Sequence, residues 1–156
     1  MLLRSRRSFL TALPIFMSVA AFSLGGTRVA AQSGVAASDP WMRLPMGNAQ
    51  QTAVFVVLEN KTGEKRQLVS ATSSISDKVE LHTMSNENGM MRMTPVKAVD
   101  VPANGKAELK PGSFHIMLFD LKQHPADGAT VDLTLTFDNG EKLPIKATVR
   151  KPDGMR

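Results

Sequence analysis

Three Asn-Gly pairs, at 88–89, 104–105 and 139–140, each lie between short stretches rich in apolar and β-branched residues. Asn and Gly tolerate the positive φ angles of a type I′ turn, which makes the pair the strongest short-range signal for a β-hairpin. The flanking stretches read as strands over 52–60, 66–74, 78–84, 89–96, 97–102, 106–110, 113–121, 130–137 and 142–150. Lys110-Pro111-Gly112-Ser113 reads as a type II turn with Pro111 and Gly112 at its centre. No segment outside the first 31 residues carries sustained helical periodicity. A chain punctuated this often is expected to be all-β, a single antiparallel sandwich or barrel with Greek-key connections.

The first 31 residues do not share that pattern. They begin with a basic cluster, continue through an apolar stretch from Phe9 to Leu24, and end with small residues at Val29 and Ala31 suited to a signal peptidase. Pro14 and Ser18 interrupt the apolar stretch and Arg28 follows it, a pattern of a cleaved leader rather than a permanent membrane anchor. The expected cut falls after Ala31, with Ala37 as the second candidate. Ser5-Arg6-Arg7-Ser8-Phe9-Leu10 resembles the twin-arginine export signal. This route and the general secretory route both end outside the cytoplasm, so the expected location is the bacterial periplasm. The expected organisation is a leader over 1–31, a flexible lead-in over 32–40, one β-domain over 41–151 and a short tail over 152–156.

Removing the leader changes the charge. It carries Arg4, Arg6, Arg7 and Arg28 and no acidic residue, so fifteen of nineteen basic residues remain against fourteen acidic ones, and the formal charge falls from +5 to +1. Steering toward nucleic acid or an anionic membrane therefore has no support. The sequence holds no cysteine, so an exported domain of this kind relies on packing rather than disulfides, and any site that needs a thiolate is excluded.

Methionine and histidine cluster in the middle of the chain. Five of the eight methionines beyond the leader are Met84, Met90, Met91, Met93 and Met117, and they flank His82 and His115. Met also serves as a flexible core filler, but a filler should be scattered over the domain. In a strand, residues two apart share a face, which pairs His115 with Met117 and His82 with Met84. A hairpin around Asn88-Gly89 with either a two-residue or a four-residue loop keeps His82, Met84, Met91 and Met93 on one face. Imidazole together with neutral thioether sulfur favours a soft monovalent ion, Cu(I), with Ag(I) as its chemical mimic. Zn(II) sites draw on thiolate, imidazole and carboxylate, so the methionine-rich surroundings argue against it, and Ca(II) and Mg(II) need clustered oxygens that this segment lacks.

Written out, the spacing is His82, ten residues, Met93, twenty-one residues, His115, one residue, Met117. This H-x(10)-M-x(21)-H-x-M pattern resembles the signature of periplasmic copper chaperones of the PCuAC type. The segments DPWMR (39–43), ELHTM, NGMMRMTPV and LKPGSFHIMLFDLK are similar to that family as well, so the resemblance runs over roughly 38–150. It implies a cupredoxin-like β-barrel that binds one Cu(I) per chain through His82, Met93, His115 and Met117. It also implies delivery of copper to the dinuclear copper centre of cytochrome c oxidase subunit II, alongside a Sco-type thioredoxin-like protein, without stable membrane insertion.

Met84 and Met91 read equally as accessory sulfurs or as packing. His124, in KQHPADG, reads as a solvated loop residue, and Trp41 as a core or site-flanking aromatic. A blue-copper electron-transfer site requires a cysteine thiolate and is therefore excluded. An oxidative copper enzyme that ligates through the amine of an N-terminal His does not fit a mature chain beginning at Gln32, and the protein is expected not to be an enzyme. Periplasmic copper buffering would use the same site without an oxidase client.

Overall fold

The structure, a computed structural model, describes residues 34–152. The expected leader and the last four residues of the expected tail lie outside the described residues. Ten strands follow in chain order: β1 (Val35–Arg43), β2 (Thr52–Asn60), β3 (Arg66–Ser73), β4 (Lys78–Glu87), β5 (Met90–Pro95), β6 (Val99–Val101), β7 (Lys106–Leu109), β8 (His115–Phe119), β9 (Thr130–Phe137) and β10 (Lys142–Arg150). No helix occurs among the described residues, as expected for an all-β chain.

The strands form one sheet in the order β5-β4-β8-β2-β1-β10-β9-β3-β6, with β7 paired to the later half of β2. β1 and β10 run parallel, with Trp41 opposite Thr148, while the other pairings are antiparallel. One principal core cluster draws side chains from nearly every strand, including Met42, Leu58, Leu68, Ile116, Leu135 and Phe137. Each of these six is at most 1% exposed. β8 is buried on both faces: Ile116 and Leu118 enter this core, while His115 and Met117 point to the other side. A second, smaller cluster on that other side joins Ala53, Phe55 and Met117, with Trp41 and Phe119 packed against it.

Two hairpins close at the expected Asn-Gly pairs. Asn88 and Gly89 both take positive φ, 52° and 81°, and form the two-residue loop between β4 and β5. At 139–140, Gly140 has a φ of 81° and Phe137 N–H donates to the Glu141 carbonyl. This is the longer hairpin with Gly in the left-handed position. Gly112 has a φ of 81° and Ser113 N–H donates to the Lys110 carbonyl at 3.0 Å, the type II geometry expected there.

Two expectations are corrected. Asn104-Gly105 does not close a hairpin, because β6 pairs with β3 whereas β7 pairs with β2. The flexible lead-in expected over 32–40 gives way to β1 at Val35, which pairs with Asn60 and is only 1% exposed. Tertiary pairing overrides the weak strand propensity of Ala36, Ala37 and Ser38. Asp39 and Pro40 are accommodated by a register shift between Ser38 and Trp41, where Asp39 takes a φ of 45°.

Candidate metal centre

Strand registers bring the histidines and methionines onto one face of the sheet. His82 on β4 lies directly opposite His115 on β8, the Phe55 ring of β2 lies 6.2 Å from the His115 ring, and Phe55 is paired in turn with Trp41 on β1. One step along, Met93 on β5 faces Met84 on β4. One step the other way, Glu80 on β4 faces Met117 on β8, which in turn faces Ala53 on β2. Thus residues 33 positions apart in sequence become cross-strand neighbours, and their rings lie 6.0 Å apart centroid to centroid.

Met93 reaches this row from the edge strand. β4 separates β5 from β8, a span of about 9.6 Å at the usual strand spacing, and two long side chains close it. The Met93 sulfur lies 3.1 Å from His115 Nε2. On the other side of that ring, His115 Nδ1–H donates to the Ser113 carbonyl at 2.9 Å. A carbonyl can only accept, so Nδ1 carries the proton and Nε2 holds a bare lone pair directed at a sulfur. For a d10 ion with metal–nitrogen and metal–sulfur bonds near 2.0 and 2.3 Å, tetrahedral N and S donors lie about 3.5 Å apart. The donor pair is therefore spaced closely enough to share one ion.

His82 is arranged in the same way with the nitrogens exchanged. Its Nε2 lies 2.9 Å from Glu80 Oε2, while Nδ1 is buried and has no hydrogen-bond partner. A buried polar atom without a partner is uncommon, since leaving it unpaired costs about 1–3 kcal/mol. Both imidazoles are shielded, at 8% exposure for His82 and 5% for His115. Phe119 packs 5.8 Å from the first ring and Phe55 6.2 Å from the second. Burial pushes the His115 imidazole below its ordinary value, and the electrostatic influence of the neighbouring His82 and Arg43 side chains acts in the same direction. Its bond to Ser113 opposes them. The lowered value favours the neutral, ligating form of the ring.

A cleft of about 360 Å³ opens over this face, lined among others by Arg43, Met46, Met84, Met93, His115 and Met117. Met93 is 45% exposed at its rim, whereas Met117 is 5% exposed at its floor. Trp41 flanks the site, its ring 4.5 Å from that of Phe55 and tilted by 34°, and the Arg43 guanidinium lies over the Phe55 ring, 5.7 Å from its centroid. Among the described residues no group of three or more His, Cys, Asp or Glu side chains is placed to hold a metal ion. An ion at this face would have to draw on thioether sulfur, which selects for a soft metal.

All four residues singled out from the sequence, His82, Met93, His115 and Met117, lie on this face. His124 does not: it is exposed, with Nε2–H donating to the Ala49 carbonyl at 3.1 Å. Met91 is 55% exposed, two residues farther out along the hairpin, and Met84 lines the cleft. Sequence reasoning missed Glu80, although its place two residues before His82 in one strand already put it on the same face. It also missed Arg43, the last residue of β1, and Met46, in the connection from β1 to β2, which both line the cleft.

The comparisons agree with this fold. The family described as "Putative lipoprotein LpqE-like" matches residues 35–149. The chain is 31% identical to "Putative lipoprotein Lxx21020" of Leifsonia xyli subsp. xyli over 122 residues, covering 78% of this chain and 72% of that protein. Among solved structures, the Cu(I) form of DR1885 from Deinococcus radiodurans superposes with a TM-score of 0.62 at 28% identity. That alignment covers 85% of this chain and 87% of the other. The copper-bound PCuAC domain from PmoF2 superposes with a TM-score of 0.66 at 20% identity, covering 77% and 95%, and shares the cupredoxin-like fold. With the family match spanning the whole β-domain, the chain is a member of the LpqE-like family.

Proposed function

We propose that the protein is a periplasmic Cu(I) carrier of the PCuAC type that binds one ion per chain through His82, Met93, His115 and Met117. It releases the ion to the dinuclear copper centre of cytochrome c oxidase subunit II, with a Sco-type protein acting in the same assembly. The observation that carries this reading is the meeting of His82 and His115 across the β4–β8 pair, with rings 6.0 Å apart, and of the Met93 sulfur with His115 Nε2 at 3.1 Å beside an accessible cleft. Two shielded imidazoles hold the ion, while the Met93 thioether at the rim can leave it as a partner's ligand arrives. The copper-bound state of DR1885, the lipoprotein name carried by the relative and the leader-like first 31 residues support the same reading.

The test is transfer. Cu(I)-loaded protein is mixed with the metal-free copper domain of oxidase subunit II, and the purple absorption of the dinuclear centre is followed under conditions that permit its mixed-valence form. Growth of that band with loss of copper from the carrier is expected. A carrier that binds Cu(I) but gives no transfer would instead be a periplasmic copper buffer.

A further inference from the structure

The two facing histidines are held by acceptors at different nitrogens, Glu80 Oε2 at His82 Nε2 and the Ser113 carbonyl at His115 Nδ1. We propose that Glu80 is a positioning residue that holds His82 as its Nε2–H tautomer, so that His82 meets the ion through Nδ1 while His115 meets it through Nε2. The metal half of this statement rests on the copper reading above. The tautomer half concerns the metal-free protein and is tested without copper.

Glu80 and His82 alternate with Leu81 along β4, so their side chains share a face, and the contact between them is 2.9 Å. A carboxylate only accepts, so Nε2 supplies the proton of this bond and the lone pair of the neutral ring is left on Nδ1. That nitrogen is the buried atom with no partner. The ring is confined between Phe119 at 5.8 Å and His115 at 6.0 Å. Glu80 is held on its own side, with Lys78 Nζ at 4.0 Å and Met117 opposite it on β8. His115 has the opposite arrangement because its orienting acceptor, the Ser113 carbonyl, lies beside Nδ1. A carboxylate behind a metal-binding imidazole fixes ring orientation and raises ligand basicity, and removing such a partner costs about 10–100-fold in metal affinity.

The experiment uses protein with ¹⁵N in its histidine rings and long-range ¹H–¹⁵N spectra. In the metal-free wild type, His82 is expected to carry its proton on Nε2 and His115 on Nδ1. Glu80→Leu should release His82 into a mixture of tautomers, with the amide spectrum reporting that the fold is kept. Glu80→Gln, which retains an acceptor oxygen, should preserve the wild-type tautomer. Ag(I) serves as the soft-ion probe, because its nuclear spin couples to the nitrogen that binds it. Coupling is expected at His82 Nδ1 and His115 Nε2, and Glu80→Leu should weaken Ag(I) binding about 10–100-fold. A proton on His82 Nδ1 in the metal-free wild type, or silver coupling at His82 Nε2, would overturn the role of Glu80 and leave copper carriage standing. The tautomers as described with no silver uptake at all would overturn the copper reading and the metal half of this proposal, and leave Glu80 as the residue that fixes the His82 tautomer.

Discussion

His115→Ala weakens Cu(I) binding by more than about 100-fold, whereas His124→Ala leaves it unchanged. Loss of an orienting partner alone costs about 10–100-fold, and His115 supplies the donor atom itself in the proposed centre. It is also the hub of the arrangement, facing His82 across one strand pair and the Met93 sulfur at 3.1 Å. Met93→Leu, which keeps side-chain volume while removing sulfur, is expected to weaken binding as well, but less than His115→Ala, since the thioether is the weaker ligand. His124 is exposed, donates to the Ala49 carbonyl rather than lining the cleft, and serves as the control. Competition against a coloured Cu(I) chelator measures all three variants. Equal losses at His115 and His124 would remove the assigned centre.

Ile116→Ala acts on the opposite face of the same strand. Ile116 is fully buried, paired with Val54 on β2 and Leu81 on β4, and its neighbours in sequence are His115 and Met117. Deleting three buried carbons from such a site costs about 3 kcal/mol, the lost transfer energy plus the cavity left behind. For a domain of this size that lowers the unfolding midpoint by about 10 °C. Saturating Cu(I) should recover much of the loss, because a ligand at 100 times its Kd adds about 2.7 kcal/mol to the folded state. Thermal unfolding with and without the ion checks both statements. A midpoint unchanged by the substitution would mean that β8 does not bridge core and site as described.

Both predictions depend on β8, and β8 also shows which parts of the protein could be read from its residues. The alternation of Phe114, Ile116 and Leu118 against His115 and Met117 is a local, period-two pattern, so the two faces were visible in the sequence. The bounds of β2, β9 and β10 were equally visible, because runs rich in apolar and β-branched residues end at turn residues. β1 was not, since Ala36, Ala37 and Ser38 carry no pattern and the strand exists because β2 and β10 flank it. Asn104-Gly105 carries the same local signal as the two true hairpin turns, yet long-range pairing sends its strands to different partners.

The candidate site divides along the same line. Either even-length loop at Asn88-Gly89 put His82 and Met93 on one face, and the positive φ angles of both residues settle the shorter one. What no local pattern contains is the β4–β8 pairing that sets His82 against His115. The sequence supplied four residues of suitable chemistry, and the resemblance grouped them. The sheet order is what brings His82, Met93 and His115 to neighbouring positions, with Met117 one step along the same strand.

X-ray absorption at the copper edge of the Cu(I)-loaded protein bears on that convergence without any substitution. The spectrum should contain nitrogen scatterers at about 2.0 Å and sulfur scatterers at about 2.3 Å around a single ion, with the imidazole pattern indicating two histidines. A shell of nitrogen and oxygen only, or of sulfur only, would mean that the histidines and methionines on this face do not bind the same metal ion.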